Sequence, residues 1–475
     1  MKVIKCFSKV LLLLLLSSPC FAQNTDSTKV AADSTMISVD RIILLGNKVT
    51  RPSIIYRELI FHKDDTLPEY VLDRAIERSR ENLMNTLLFN FVQIDKLNDI
   101  NNKRSIVITM TERWYIFPIP IIEFVDRNFN EWLKTKDFSR INYGFVLSDN
   151  NFRGAKELFQ VSARFGYSQK FAFNYVIPYL NRAQENGLNL MGGYNRNHEI
   201  SYTLTDSKLT FYKNEDIYVR KEYYGLVRYT HRDRIYNYAS FGVEYRFSSI
   251  ADTVAKLNDR YFVNGTTFEQ FIALGYKWSR DMRDYKIYSL HGYYFDAEVN
   301  KVGLGILKNE PNLLFITSSF KNTNEISRRW HLGYSIKGRI CGQSEAPFYN
   351  QRALGYQNDF VRSYEYYVIN GQSFALAKTN LKFSLVPQRI FYLGAIGSDK
   401  FNTIPYAFYL NAFCDVGYVR DKVFAETNPL ANQFLPGYGL GIDFVTYYNI
   451  VIRLEYSFNK FGENGFFLHF TNALY

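Results

Sequence analysis

Arg362 stands within FVRSYEYYVING, residues 360–371, a run of aromatic and β-branched residues that leads into a strand pattern. Its guanidinium carries five N–H donors in a planar fork and engages a carboxylate through two parallel bonds, so the chemistry on offer is an ion-pair lock. Taken alone it reads first as a solvated loop arginine. The residue sets that carry catalysis are missing. No His-Glu-x-x-His, Gly-x-Ser-x-Gly or P-loop pattern occurs, and PGYGLG at 436–441 lacks the spacing and strand–helix context of a dinucleotide loop. The six histidines are scattered without metal-ligand spacing, and HRDR at 231–234 sits between strand patterns as a charged turn. After residue 22 only Cys341 and Cys414 remain, too few for a disulfide scaffold, and strand alternation turns Cys414 outward. The expectation is a protein without enzymatic activity, with no catalytic, cofactor-binding or metal-binding residues and no cofactor.

The elements that must position Arg362 begin with an export signal. In MKVIKCFSKVLLLLLLSSPCFAQ, Lys2, Lys5 and Lys9 precede a short apolar run, and CFA ending at Ala22 resembles a cleavage site. Residues 1–22 therefore read as a signal peptide and the polar stretch 23–36 as a flexible leader. Removing the signal takes three lysines from a net charge of +11, leaving +8. A strand follows in ISVDRIILLGN, with turn chemistry at Gly46-Asn47. Thr50 is placed to cap a short helix through RPSIIYRELIF, and Pro68 opens a longer one, PEYVLDRAIERSRENLMNT. Strands LFNFVQID and RSIVITMTE complete a compact β-α-α-β-β unit over residues 37–113. Basic and acidic residues number 11 each over residues 37–112, so nucleic acid is not expected as a partner.

From Trp114 onward the period is two. Phe241, Val243 and Tyr245 alternate with Gly242, Glu244 and Arg246, and Leu381, Phe383 and Leu385 alternate with Lys382 and Ser384. In AFYLNAFCDVGYV the alternation puts Tyr409, Asn411, Phe413, Asp415 and Gly417 on one face and Leu410, Ala412, Cys414 and Val416 on the other. Nothing after the signal approaches the ~18 consecutive apolar residues of a spanning helix. Yet the chain holds 38 Tyr and 40 Phe and is 47% hydrophobic. Export, aromatics and charges on the second face of many strands fit a transmembrane β-barrel with a wet lumen over residues 114–475; a soluble β-sandwich or propeller is the alternative. The first strand contains FPIPIIEF, where Pro118 and Pro120 donate no ladder bonds, which suits an edge or weak seam.

The pieces IILLGN, IIYREL, NLMNTLLFNFV and ITMTERWYIFPIP, then NNFRG, YVIPY, WSRDMRDY, CDVGYV and GYGLGIDF, stand in an order that resembles the BamA/TamA outer-membrane protein insertase superfamily, in particular short surface-antigen-like members. The resemblance covers residues 37–475. It implies a bacterial outer-membrane barrel of about 16 antiparallel strands, preceded by one periplasmic POTRA-like domain. It further implies that Val361, Arg362, Ser363 and Tyr364 match a V/I-R-G-F/Y motif on a loop folded into the lumen. Phe413, Asp415 and Gly417 match the strand pattern whose acid receives that arginine. Two departures stand out: Ser363 replaces the motif glycine, where a positive φ would be strained, and Lys382 stands where relatives often carry an acid. The implied function is assembly, insertion or translocation of outer-membrane or secreted proteins through a laterally opening seam. The implied partners are unfolded client proteins, outer-membrane lipid, and periplasmic chaperones or accessory lipoproteins. A passive pore or two-partner-type secretion channel is the competing function, and a structural barrel that lost activity a third.

Overall fold

A computed structural model describes residues 35–98, 103–124, 141–343, 345–356, 358–395, 397–398, 400–446 and 450–471. The signal peptide, most of the leader and the last residues of the chain lie outside them.

The N-terminal unit is built from β1 (Met36–Leu45), a short helix α1 (Pro52–Tyr56), β2 (Thr66–Pro68), α2 (Glu69–Met84), β3 (Phe89–Asn98) and β4 (Lys103–Glu112). Its sheet runs β2-β1-β4-β3, with β1 and β4 parallel. The helices cover one face, and Ile37, Val39, Ile55, Leu72, Leu83, Ile106 and Ile108 form a closed core there. Two details differ from the expected β-α-α-β-β unit. The three-residue β2, too short to show periodicity, pairs with β1 between the helices. Thr50 does not cap α1, whose N-cap is Arg51 with no side-chain cap bond. Instead the Thr50 hydroxyl lies 3.1 Å from the Tyr115 hydroxyl and accepts from Asn151 Nδ2 at 3.0 Å, both on the far side of the domain boundary. A side chain with a stronger tertiary partner is lost to its local cap.

The remaining strands are β5 (Ile116–Phe124), β6 (Ile141–Phe152), β7 (Glu157–Gly166), β8 (Gln169–Ile177), β9 (Asn186–Asn197), β10 (Glu199–Thr205), β11 (Lys208–Lys213), β12 (Arg220–Asp233), β13 (Asn237–Ile250), β14 (Phe268–Asp281), β15 (Gly292–Val302), β16 (Leu313–Ser327), β17 (Trp330–Cys341), β18 (Arg352–Leu354), β19 (Ile369–Asn370), β20 (Ser373–Tyr392), β21 (Thr403–Arg420), β22 (Phe434–Thr446), β23 (Ile450–Asn459) and β24 (Asn464–Thr471). Sixteen of them form one antiparallel sheet running from β24 to β5, while the small pairs β10–β11 and β18–β19 decorate loops. Along β21 the expected alternation is visible: Tyr409, Asn411, Phe413, Asp415 and Gly417 are buried, whereas Leu410, Cys414 and Val416 are exposed. Leu440, Phe466 and Phe470, each about two-thirds exposed, belong to the apolar outer face. Among the described residues no helix is long and apolar enough to cross a membrane.

The N-terminal unit docks against the turns at one end of this sheet. Glu58 receives both Nη atoms of Arg232 at 2.7 Å, and Tyr179 and Lys156 complete the site. Arg78 donates to the Tyr236 hydroxyl at 2.8 Å. At the opposite end, loop segments 198–219, 251–267 and 342–372 pack around Leu204, Val219, Val254, Phe262 and Phe348.

Candidate functional site

The long connection between β17 and β20 leaves the far end and re-enters the lumen. Its turn Val361–Tyr364 is buried among Leu354, Ile369, Leu376, Val419 and Leu435. Each motif residue has a separate task. Val361, 2% exposed, sits where Gly417 has no side chain; a Cβ on that glycine would come within 2.4 Å of Val361 Cγ2. Tyr364 donates its hydroxyl to the carbonyl of Pro436 at 3.2 Å. Ser363 holds φ at +76°, the left-handed region that costs an L-residue roughly 1–2 kcal/mol, so the departure from glycine leaves strain in the turn. The Ser363 carbonyl accepts from Asn459 Nδ2 at 3.1 Å, which helps to hold that conformation.

Arg362 is 3% exposed and faces the barrel wall. Its Nε meets Asp415 Oδ2 at 2.8 Å and its Nη2 meets Asp415 Oδ1 at 2.5 Å, the two-pronged geometry that a planar fork permits. Its own backbone N–H also donates to Asp415, at 3.2 Å. Nη1 reaches Asn380 Oδ1 at 2.8 Å and Glu455 Oε1 at 3.1 Å, while Nη2 also donates to the Thr379 carbonyl at 3.3 Å. The guanidinium carbon lies 3.8 Å from the centre of the Phe413 ring, so an aromatic face covers the cation. Phe413, Asp415 and Gly417 thus meet the loop from one face of β21: ring, charge and clearance.

The second acid is Glu455, on β23. In the sequence Glu455 lies on the wet face of its strand, but periodicity fixes a face and not what arrives across the lumen. Lys382 takes no part in the cage: its Nζ donates to the Ser289 carbonyl at 3.2 Å and lies 3.9 Å from the Tyr288 ring centre.

A tight wall on β22 completes the seat. A Cβ at Gly437 would fall 2.0 Å from the Arg362 carbonyl oxygen. Gly437→Ala is therefore expected to push the turn off the wall and cost about 1–3 kcal/mol, an overpacking penalty. A lowered urea midpoint of the lipid-embedded protein checks it, and an unchanged midpoint would contradict the close approach.

Pro118 and Pro120 lie on β5, which among the described residues pairs with β6 alone. The Asn150 N–H donates to the Tyr115 carbonyl at 3.0 Å, and the register runs on without a break from Ile116↔Asp149. Odd-numbered residues of β5 therefore bond inward to β6, and even-numbered ones point their backbone to the free edge. Both prolines fall on the free edge, which lacks an N–H at 118 and again at 120. Among the described residues no ladder joins this edge to β24.

Residues 151–460 match the Omp85 superfamily domain. No curated protein matches the chain. Among solved structures, BamA from Haemophilus ducreyi lacking POTRA domains 1–3 is similar with a TM-score of 0.50 at 14% identity, over 91% of this chain and 84% of that one. CdiB from Escherichia coli gives a TM-score of 0.49 at 11% identity, over 94% and 92%. The likeness to BamA is one of fold. With well over half its length inside the matched span and its sixteen strands in one antiparallel barrel sheet, the chain belongs to the Omp85 superfamily of outer-membrane proteins.

Proposed function

We propose that this protein assembles or translocates other proteins at the outer membrane, working through its seam and without a cofactor. The observation that carries the reading is the pair of sheet ends, β24 and β5, between which no ladder forms among the described residues, with two prolines removing donors from one of them. Such an edge is a place where an incoming strand can add itself by backbone hydrogen bonds while its neighbours remain in lipid. The N-terminal unit then acts as a POTRA-like domain in the periplasm. Among the described residues its strand β3 pairs with β4 alone, which leaves an edge for holding unfolded clients. The apolar outer face contacts outer-membrane lipid, and the periplasmic surfaces receive chaperones or accessory lipoproteins. The seated Val361–Tyr364 turn favours a gated machine over a passive pore, because it fills lumen that a pore would leave open.

Depleting the protein and quantifying the outer-membrane proteome tests the reading; a fall in a defined set of barrel proteins is expected. An unchanged proteome together with steady ionic conductance of the purified protein would favour a channel instead. Replacing both seam prolines, Pro118→Val with Pro120→Val, supplies two new donors to the free edge. Client insertion into liposomes, measured with a barrel whose level fell on depletion, is expected to slow several-fold; an unaltered rate removes the seam from the mechanism.

A further inference from the structure

We propose that the connection 282–291 between β14 and β15 is a strap that couples docking of the N-terminal domain to the seating of Arg362. This goes beyond the assembly reading and needs only the barrel and its lumen loop, whatever the clients are.

The strap has two ends, and each is built. On the domain side, Asn85, the residue that ends α2, spends both halves of its amide on the strap backbone. Its Nδ2 donates to the Asp284 carbonyl at 2.6 Å and its Oδ1 accepts from the Lys286 N–H at 2.9 Å. Arg80 adds a bond from Nη1 to the Tyr285 hydroxyl at 3.2 Å. On the lumen side, the Tyr288 hydroxyl donates to Asp443 Oδ2 at 2.8 Å, its ring lies 4.9 Å from that of Tyr409, and Lys382 grips the Ser289 carbonyl. Tyr288 is 8% exposed and Asp443 fully buried. A connection that only turned the chain would have no reason to bury a tyrosine against a charged wall.

Between its ends the strap is stiff. Asp284 accepts from the Tyr285 N–H and the Ser289 hydroxyl, both at 2.8 Å, and from the Leu290 N–H at 3.2 Å, so one carboxylate ties the segment across itself. Movement at Asn85 therefore reaches Tyr288 without being absorbed on the way.

Beyond Tyr288 the contacts continue to the cage. Asp443 Oδ1 meets Arg453 Nε at 2.9 Å, Arg453 Nε lies 3.7 Å from Glu455 Oε1, and Glu455 Oε1 meets Arg362 Nη1 at 3.1 Å. Withdrawing Tyr288 takes a donor from buried Asp443, so Asp443 and Arg453 rearrange and Glu455 Oε1 is no longer held where Arg362 Nη1 meets it. Domain and lumen turn thus share one polar chain through the strap.

The test is single-molecule conductance of the full-length protein in planar bilayers, where rare large openings report release of the lumen turn. Asn85→Ala breaks the domain end and Tyr288→Phe removes the hydroxyl at the lumen end with little change of shape. Each is expected to raise the opening frequency about tenfold, and the double variant no more than either alone, because both cut one path. Unboiled gel mobility confirms that each variant is folded, and Lys382→Met probes the lumen end independently should Tyr288→Phe fail to fold. Effects that multiply in the double variant, or no rise from either lumen-end change, would overturn the strap as a coupler.

Discussion

Arg362→Ala is expected to lower the thermal and urea stability of the barrel by about 3–5 kcal/mol, the cost of stripping one partner from a buried ion pair. The size follows from what is left behind. Asp415 is fully buried and Glu455 1% exposed, so neither carboxylate can recover its hydration when the guanidinium goes. Glu455 retains the longer contacts to Arg453, at 3.7 Å, and to the His469 ring, at 3.4 Å. Phe413 loses the cation over its ring, and the turn loses its strongest tie to the wall. The loss should appear as a lower temperature for the shift between folded and unfolded mobility on unboiled gels. Arg362→Lys keeps the charge but cannot engage Asp415 through two prongs while reaching Asn380 and Glu455, so an intermediate loss is expected. A double-mutant cycle with Asp415→Asn decides whether the pair itself matters: coupling above about 1 kcal/mol is expected for residues in one network. Additive effects would show that the turn is seated by Val361 and Tyr364 instead.

The second large effect lies at the domain junction. Glu58→Gln leaves Arg232, whose side chain is 7% exposed, without its bidentate partner and removes the compensation for Lys156. Docking is expected to weaken by about 3–5 kcal/mol, by the same reasoning about an uncompensated buried charge. Protease access to residues around α1 should rise, while the strand content of the barrel stays constant. The pH dependence has a definite sign. Burial alone would raise the Glu58 carboxyl, but Arg232 and Lys156 outweigh it and lower the group from 4.5 to about 2. A depressed carboxylate stabilises docking fully above its ordinary value, and that contribution is lost as pH falls from 4.5 toward 2. Burial pulls the Lys156 ammonium below its ordinary value, so that group opposes docking least at high pH. Wild-type protein should therefore undock progressively through that acid window, and Glu58→Gln should show a flat response there. A wild-type acid transition identical to that of the variant would exclude Glu58 as the latch.

Much of this was legible in the sequence because strand periodicity is a local property. The alternation in AFYLNAFCDVGYV places Phe413, Asp415 and Gly417 on the buried face of β21, where they lie. Pro68 does open α2, and β1, β3 and β4 fall close to their expected positions. What stayed hidden depends on contacts between residues far apart in the chain. Glu455 is 93 positions from Arg362, and Tyr288 is 155 from Asp443; nothing within a ten-residue window encodes either meeting. The strap itself overlaps WSRDMRDY, a piece of the family resemblance, and nothing in those residues signals the contacts that the curl of the sheet makes with Asp443 and Lys382. Thr50 was misread for the same reason: its cap position was visible and its competitors, Tyr115 and Asn151, were not.

The two lips of the seam are chemically unequal. β24, Asn464–Thr471, contains no proline and keeps an amide at each position, whereas β5 is missing two on its open side. In hydrocarbon an unanswered carbonyl is costly, so a strand added to the N-terminal lip would leave two acceptors without donors, a gap that the C-terminal lip does not present.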